Sequence, residues 1–232
     1  MPVMLEFATA LAAFLVSHRL PAATRLRPWL VERIGENTYR VLYGAFSIVI
    51  LAWLISAAVR APIITLWEPL TWHALMPVIL MPVTAVLITA AAVSPNPLSI
   101  SLRSSAYDPA HPGIVAVTRH PMLWGFALWA LSHVIANGDL VSFILFGGLT
   151  VFALHGMSLF DRRMKQRLGE AEWHRLADGT SVMPFAAMIR GKAQYGLDGR
   201  LALATLAGLG IFVWFVLHGH EALIGIDPLA RL

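Results

Sequence analysis

Long apolar stretches separated by short charged segments set the pattern of this chain, and the longest cover 4–18, 39–59, 72–93, 122–136, 140–160 and 201–217. A helix that crosses a bilayer needs roughly 20 such residues, fewer where long side chains at its ends reach the interface. The pattern predicts an all-α fold: a polytopic transmembrane helical bundle of about six spans, the first and fourth being the shortest. No long linker divides the stretches, so a single transmembrane domain over 1–232 is expected. The first stretch carries Glu6, lacks a basic leader and runs into His18-Arg19 without a small-residue cleavage site. It is expected as a retained helix, not a removed signal peptide.

The polar segments orient these spans. Fifteen of the seventeen Lys and Arg residues fall in alternate loops, within 19–40, at 103 and 119, and within 162–200, leaving Arg60 and Arg231 on the other side. Positive residues stay cytoplasmic, which places both termini outside. Two cytoplasmic loops have interfacial character. Over 27–34, Leu30 and Ile34 recur with Leu26 at helical spacing among Arg27, Glu32 and Arg33, predicting a short helix lying on the headgroups. The larger loop, 161–199, carries Trp173, Leu176, Met183 and Phe185 among charges and is expected to cap the bundle's cytoplasmic mouth. Asn137-Gly138-Asp139 reads as a tight helical hairpin, with Gly138 left-handed and Asp139 capping the next helix. Gly147, Gly148 and Gly156 would admit a neighbouring backbone or a flat ligand.

Composition agrees with a membrane setting and narrows the chemistry. The 232 residues are 58% hydrophobic and only 13% charged, with a mean hydropathy of +0.70. The charges that give a pI near 10.0 sit where topology and lipid headgroups account for them, so nucleic acid is not an expected partner. The lipid bilayer is. There is no cysteine, which removes disulfides, thiolate nucleophiles and thiolate-held iron.

The nine histidines are the main chemical asset, because an ionisable residue within a span points to function. His73, His218 and His220 fall at the outer interface, where water can satisfy them. His155 lies six residues ahead of Asp161, ~9 Å inside the boundary, and is expected to be the most buried. His18 and His120 flank the same side, so these three could converge. Neutral imidazoles on separate helices suit axial ligation of haem iron, and haem propionates would find Arg19, Arg40, Arg119, Arg162 and Arg163 near that boundary. The competing reading makes the histidines interfacial or interhelical hydrogen-bonding groups and the arginines topology anchors. A second constellation, Thr118-Arg119-His120-Pro121, places donors at a helix start suited to a carboxylate or phosphate.

In these residues the chain resembles the NnrU-like membrane proteins, a family associated with bacterial denitrification and related to plant zeta-carotene isomerase. The resemblance runs over about 5–192. It is carried by Ser17-His18-Arg19, Gly35-Glu36 with Tyr39-Arg40, Thr118-Arg119-His120-Pro121, Asn137-Gly138-Asp139, Asp161-Arg162-Arg163, and Thr180-Ser181 with Pro184-Phe185. It implies a bacterial inner membrane with both termini periplasmic, and haem b ligated by His18 and His155, with the arginines and His120 about the cofactor. It also implies either cis-trans isomerisation of an apolar, carotenoid-type substrate or nitrogen-oxide-linked redox chemistry. The family further resembles membrane methyltransferases of the isoprenylcysteine type, which would make Arg119 and His120 holders of the S-adenosylmethionine carboxylate. Two departures weigh against that: Leu123 stands where an aromatic is expected, and only Asp161 represents an acidic pair. A non-enzymatic assembly or regulatory protein is the third alternative.

Overall fold

The computed structural model describes residues 2–103, 107–193, 196 and 198–232; residues 194–195 and 197 of the expected cap lie outside the described residues. The described chain is helical, with α1 Pro2–Ala23, α2 Leu26–Ile34, α3 Glu36–Arg60, α4 Thr71–Val93, α5 Pro121–Asn137, α6 Leu140–Leu168, α7 Glu170–Ala177, α8 Ala186–Ile189, α9 Gly199–Trp214 and α10 His220–Ile224. A 3-10 turn, Gly113–Ala116, precedes α5, and a π-helical turn, Phe215–Gly219, joins α9 to α10. Five helical segments are long and apolar enough to cross a membrane: Val3–Pro21, Glu36–Arg60, Thr71–Val93, Leu140–Leu168 and Gly199–Ile224. With 17 residues, α5 sits at the lower limit of a span. The protein is a multi-pass helical membrane protein. It has two compact units, Met1–Leu66 with Asp139–Leu145, and Trp67–Gly138 with Phe146–Leu232.

In the first unit α1 and α3 run antiparallel. The Trp53 indole N–H and the Arg60 guanidinium both reach Glu6, at 3.3 and 2.6 Å, while toward the other end the Tyr43 hydroxyl donates to the Ser17 carbonyl at 3.3 Å. Arg60, one of the two cations on the charge-poor side, is therefore ion-paired. The short helix expected over 27–34 is α2, and Gly35, at φ 82°, turns the chain from it into α3, a conformation that L side chains adopt at a cost.

In the second unit α4 packs against both α5 and α9, and glycines set those approaches. A Cβ at Gly125 would lie 2.6 Å from Ile88 Cγ1, and one at Gly208 would lie 2.6 Å from Thr89 Oγ1 and 2.9 Å from the Ala85 carbonyl. The Thr89 hydroxyl also donates to the Ala204 carbonyl on α9 at 2.9 Å. Leu87, Ala90, Val115, Val117, Leu201 and Ala204 form the buried cluster here. The glycines expected to matter, Gly147 and Gly148, face open space, and Gly156 makes an ordinary 3.8 Å contact with Leu123.

The hairpin forms as expected. Gly138 ends α5 in the left-handed region at φ 74°, and the Asp139 carboxylate accepts from the Ser142 N–H at 2.9 Å. Phe146 meets Trp129 and His133, with ring centroids 5.4 and 5.1 Å away, and Gly156 meets Leu123. Later residues of α6 thus touch earlier residues of α5, so the two helices are antiparallel. The apolar stretch of α6 ends near 160, but the helix runs on to Leu168, because the segment from Asp161 contains good helix formers and puts Lys165 and Arg167 in the last turn, where the helix dipole favours cations. Asp161-Arg162-Arg163 therefore lies on a helix, not in a loop. After Gly169, α7 buries Trp173, Leu176 and Ala177 against Leu98, whereas Met183 and Phe185 are exposed.

Candidate functional site

The start of α5 holds the most concentrated polar chemistry among the described residues. Pro121 occupies the first turn, so His120 becomes the N-cap and Arg119 the residue before it. Thr118 does not cap the helix: its hydroxyl donates to the Val182 carbonyl at 2.8 Å and accepts from the His120 N–H at 3.3 Å. The His120 side chain is fully buried. Its Nε2 lies 3.0 Å from Asp161 Oδ1 and its Nδ1 lies 2.7 Å from the Ser99 hydroxyl. An ionised carboxylate can only accept, so Nε2 carries the proton and, in the neutral ring, Nδ1 accepts from Ser99.

Arg119 completes the arrangement. One terminal nitrogen donates to Asp161 Oδ2 at 2.6 Å and Nε donates to the Thr180 hydroxyl at 2.8 Å. The guanidinium carbon lies 5.0 Å from the centre of the Trp173 ring, within cation–π range. Its main chain is held equally firmly: the Arg119 N–H donates to the Ser181 carbonyl at 2.8 Å, and the Arg119 carbonyl accepts from the Asn96 side chain at 2.9 Å. The Trp124 indole and the Phe185 N–H add bonds to the Val182 and Val117 carbonyls, at 2.8 and 2.7 Å. One carboxylate, one guanidinium and one imidazole thus tie the segment before α5, the C-terminal part of α6 and the loop after α7 together.

Tyr107 packs against both buried clusters of this unit, yet its buried hydroxyl has no hydrogen-bond partner among the described residues. Burial pushes the phenol up to about 12, against a smaller opposing pull from the Arg119 charge. Asn96, Ser99, Thr180 and Tyr107 were not singled out from the sequence as site residues. The available signal was the polar Ser94-Pro95-Asn96-Pro97 turn, whose Asn96 side chain accepts from the Leu98 N–H at 3.0 Å.

His18, Arg19 and Arg40 belong to the first unit; Arg119, His120, His155, Arg162 and Arg163 belong to the second. His155 is exposed, not the most buried histidine, and His120 takes that place. The inward residues of α6 here are Ala153 and Met157, and at ~100° per residue His155 points ~200° away from each. Depth along the axis did not reveal this. His73 likewise is buried rather than wetted at an interface, and its Nδ1 accepts from the Leu70 N–H at 2.7 Å. His18 is half-buried, with Nδ1 2.8 Å from the Phe14 carbonyl. Arg40 shares Glu36 with Arg27, while Arg19, Arg162 and Arg163 are exposed. Among the described residues no group of three or more His, Asp or Glu side chains is placed to hold a metal ion.

Helices long and apolar enough to cross a membrane, with an Arg-His-Asp cluster of the second unit built on a fully buried imidazole, define a polytopic membrane protein whose loops are fastened onto its helix ends. The chain belongs to the NnrU family, whose model, described as "NnrU protein", matches residues 6–228. It is similar to the chloroplastic 15-cis-zeta-carotene isomerase of Zea mays, at 41% identity over 86 residues, and to that of Arabidopsis thaliana, at 38% over 80 residues. These matches cover 37% and 34% of this chain but only 23% and 22% of the plant proteins, so the chain spans less than a quarter of the relatives it matches. No solved structure matches it.

Proposed function

We propose that this protein is a membrane-embedded, isomerase-like member of its family that binds haem b through His18 and His155 and acts on an apolar small molecule drawn from the lipid phase. The observation that carries the reading is the state of His18. A carbonyl can only accept, so the 2.8 Å contact with Phe14 places a proton on Nδ1 and anchors the ring, the kind of bond by which metal-ligating imidazoles are oriented. His155 adds support: an exposed imidazole on an apolar stretch of α6, with no hydrogen-bond partner among the described residues, is expensive in a membrane unless it serves a ligand.

The fit is selective. Both His120 nitrogens are engaged, by Asp161 and Ser99, and Arg119 is committed to Asp161 and Thr180. Neither fits a haem, so the propionates would fall to Arg19, Arg40, Arg162 and Arg163. Bound haem would supply an iron centre able to polarise a double bond or to exchange an electron. The chain's own share is to orient the imidazoles, neutralise the propionates and keep water away with apolar helices. The similarity to 15-cis-zeta-carotene isomerase favours isomerisation over nitrogen-oxide-linked redox chemistry. A bacterial inner membrane with both termini periplasmic goes with this reading and is tested with terminal reporter fusions.

The S-adenosylmethionine alternative needs donors that Arg119 and His120 already give to the chain, which makes it the weaker reading. The absorption spectrum decides. After haem supplementation a Soret band is expected, altered far more by His18→Ala and His155→Ala than by His218→Ala. No Soret band overturns the haem reading, and the reverse ranking overturns the ligand assignment. Haem-free protein that binds S-adenosylmethionine by calorimetry would revive methyl transfer; protein that binds neither would leave an assembly role.

A further inference from the structure

A groove of 380 Å³ lies among the end of α1, α2 and the start of α3, wholly within the first unit. That volume is in the range of small-ligand sites, ~300–1,000 Å³. Leu26, Leu30 and Ile34 line it at four-residue intervals along α2, with Leu20, Leu42 and Phe46 from the neighbouring helices. No residue of α2 is buried: Leu26 and Leu30 are half-buried and Ile34 is exposed, so the chain leaves this apolar stripe partly uncovered.

The surroundings of the groove are cationic. The Arg27 guanidinium stands 5.8 Å from the centre of the Tyr39 ring, itself a groove wall. Arg27 and Arg40 share one carboxylate, that of Glu36, at 2.8 and 3.1 Å, which leaves this trio with a net positive charge. Arg19, Arg25 and Arg33 are exposed, each next in sequence to a groove residue, and five arginines face only two glutamates over 19–40.

We propose that this groove is a binding site for an anionic phospholipid, with one acyl chain along the α2 stripe and the phosphate among Arg27, Arg40 and the neighbouring arginines. A neutral apolar molecule would fill the groove but leave the positive charge unanswered, whereas a phosphodiester matches the guanidinium forks. Basic pockets beside membrane helices hold anionic headgroups on this principle. Arg19 and Arg40 are shared with the haem reading, whereas Arg27, paired with Glu36 at 2.8 Å, has no part in it, so the Arg27 variant separates the two sites.

The test uses the full chain in phosphatidylcholine nanodiscs containing a trace of phosphatidylglycerol or phosphatidylcholine with a diazirine in one acyl chain, and cross-links are mapped by mass spectrometry. Phosphatidylglycerol should label α2 and the first turns of α3 in preference to phosphatidylcholine. Arg27→Gln and Arg40→Gln, both at exposed positions, should each lower that labelling about fivefold. Leu30→Trp should block it by filling the groove. Equal labelling by the two lipids, labelling spread evenly over all lipid-facing helices, or displacement of the label by a neutral polyene hydrocarbon would each overturn the proposal, the last by giving the groove to an uncharged occupant.

Discussion

Replacing Asp161 with alanine tests the cluster at the start of α5 at its single anion. The carboxylate accepts from Arg119 at 2.6 Å and from His120 at 3.0 Å, and the side chains are 12% and 0% exposed, respectively. Asp161→Ala strands a nearly buried guanidinium and a buried imidazole N–H together. Breaking a buried pair by removing one partner costs about 3–5 kcal/mol. Asp161 is itself 21% exposed, so water can reach the vacated space and the lower end, about 3 kcal/mol, is expected. For a chain of this size that corresponds to a fall in melting temperature of about 6–12 °C, read by circular dichroism in detergent. Arg119→Ala should cost less, because it leaves Asp161 bonded to His120 and partly hydrated. The double variant should lose clearly less than the two singles combined, with a coupling of about 2 kcal/mol, since it removes both charges. Limited proteolysis supplies a local readout: cleavage between 178 and 190 should rise in Asp161→Ala, because Arg119 also holds Thr180. A melting point within about 2 °C of the parent, or a cycle additive within about 0.5 kcal/mol, would refute the claim that the three groups act as one fastening.

Gly208→Ala should destabilise the protein by about 1–3 kcal/mol through overpacking, since its Cβ would stand 2.6 Å from Thr89 Oγ1 and 2.9 Å from the Ala85 carbonyl; Gly147→Ala, facing open space, should be neutral or slightly stabilising, and equal losses in the two melts would contradict the α4–α9 packing. Tyr107 predicts an alkaline effect. Its phenol is raised from 10.0 to about 12 in the folded chain, so the unfolded chain releases this proton first, and the contribution is complete below pH 10 and lost as pH climbs toward 12. Tyr107→Phe, which removes a buried hydroxyl without a partner, should hold or raise stability at neutral pH and melt less steeply with pH over that window; an unchanged alkaline slope would show that another group is responsible.

Local features were the legible ones. The helices follow from apolar length, and the α5–α6 hairpin from Gly138 and Asp139, where each residue's own backbone and cap chemistry decides the outcome. The azimuth of His155 was not legible, because its position along α6 says nothing about which face Ala153 and Met157 turn inward. Nor was the fate of Arg119 and His120. Their partners, Asp161, Thr180 and Ser99, come from segments 21 to 61 residues away in sequence, and only tertiary packing brings them together. The distance to α7 hid the partner of Trp173 in the same way: the ring lies on the buried face of an amphipathic helix and also meets the Arg119 guanidinium.

The cluster changes what the other ionisable residues can mean. An Arg-His-Pro start to a helix suggests a ligand cradle when read alone, because it puts two donors at a positive helix end. Asp161 answers that field from within the chain, and Ser99 takes the remaining imidazole nitrogen. A histidine so satisfied could join a ligand only by breaking two bonds in a fully buried place, and the arginine only by releasing a 2.6 Å ion pair. By contrast, the Phe14 carbonyl anchors the His18 ring through Nδ1, and His155 stands exposed on the outer face of α6. The division of labour is therefore physical: Arg119, His120 and Asp161 spend their hydrogen bonds and charge on fastening loops to helix ends, not on holding a ligand.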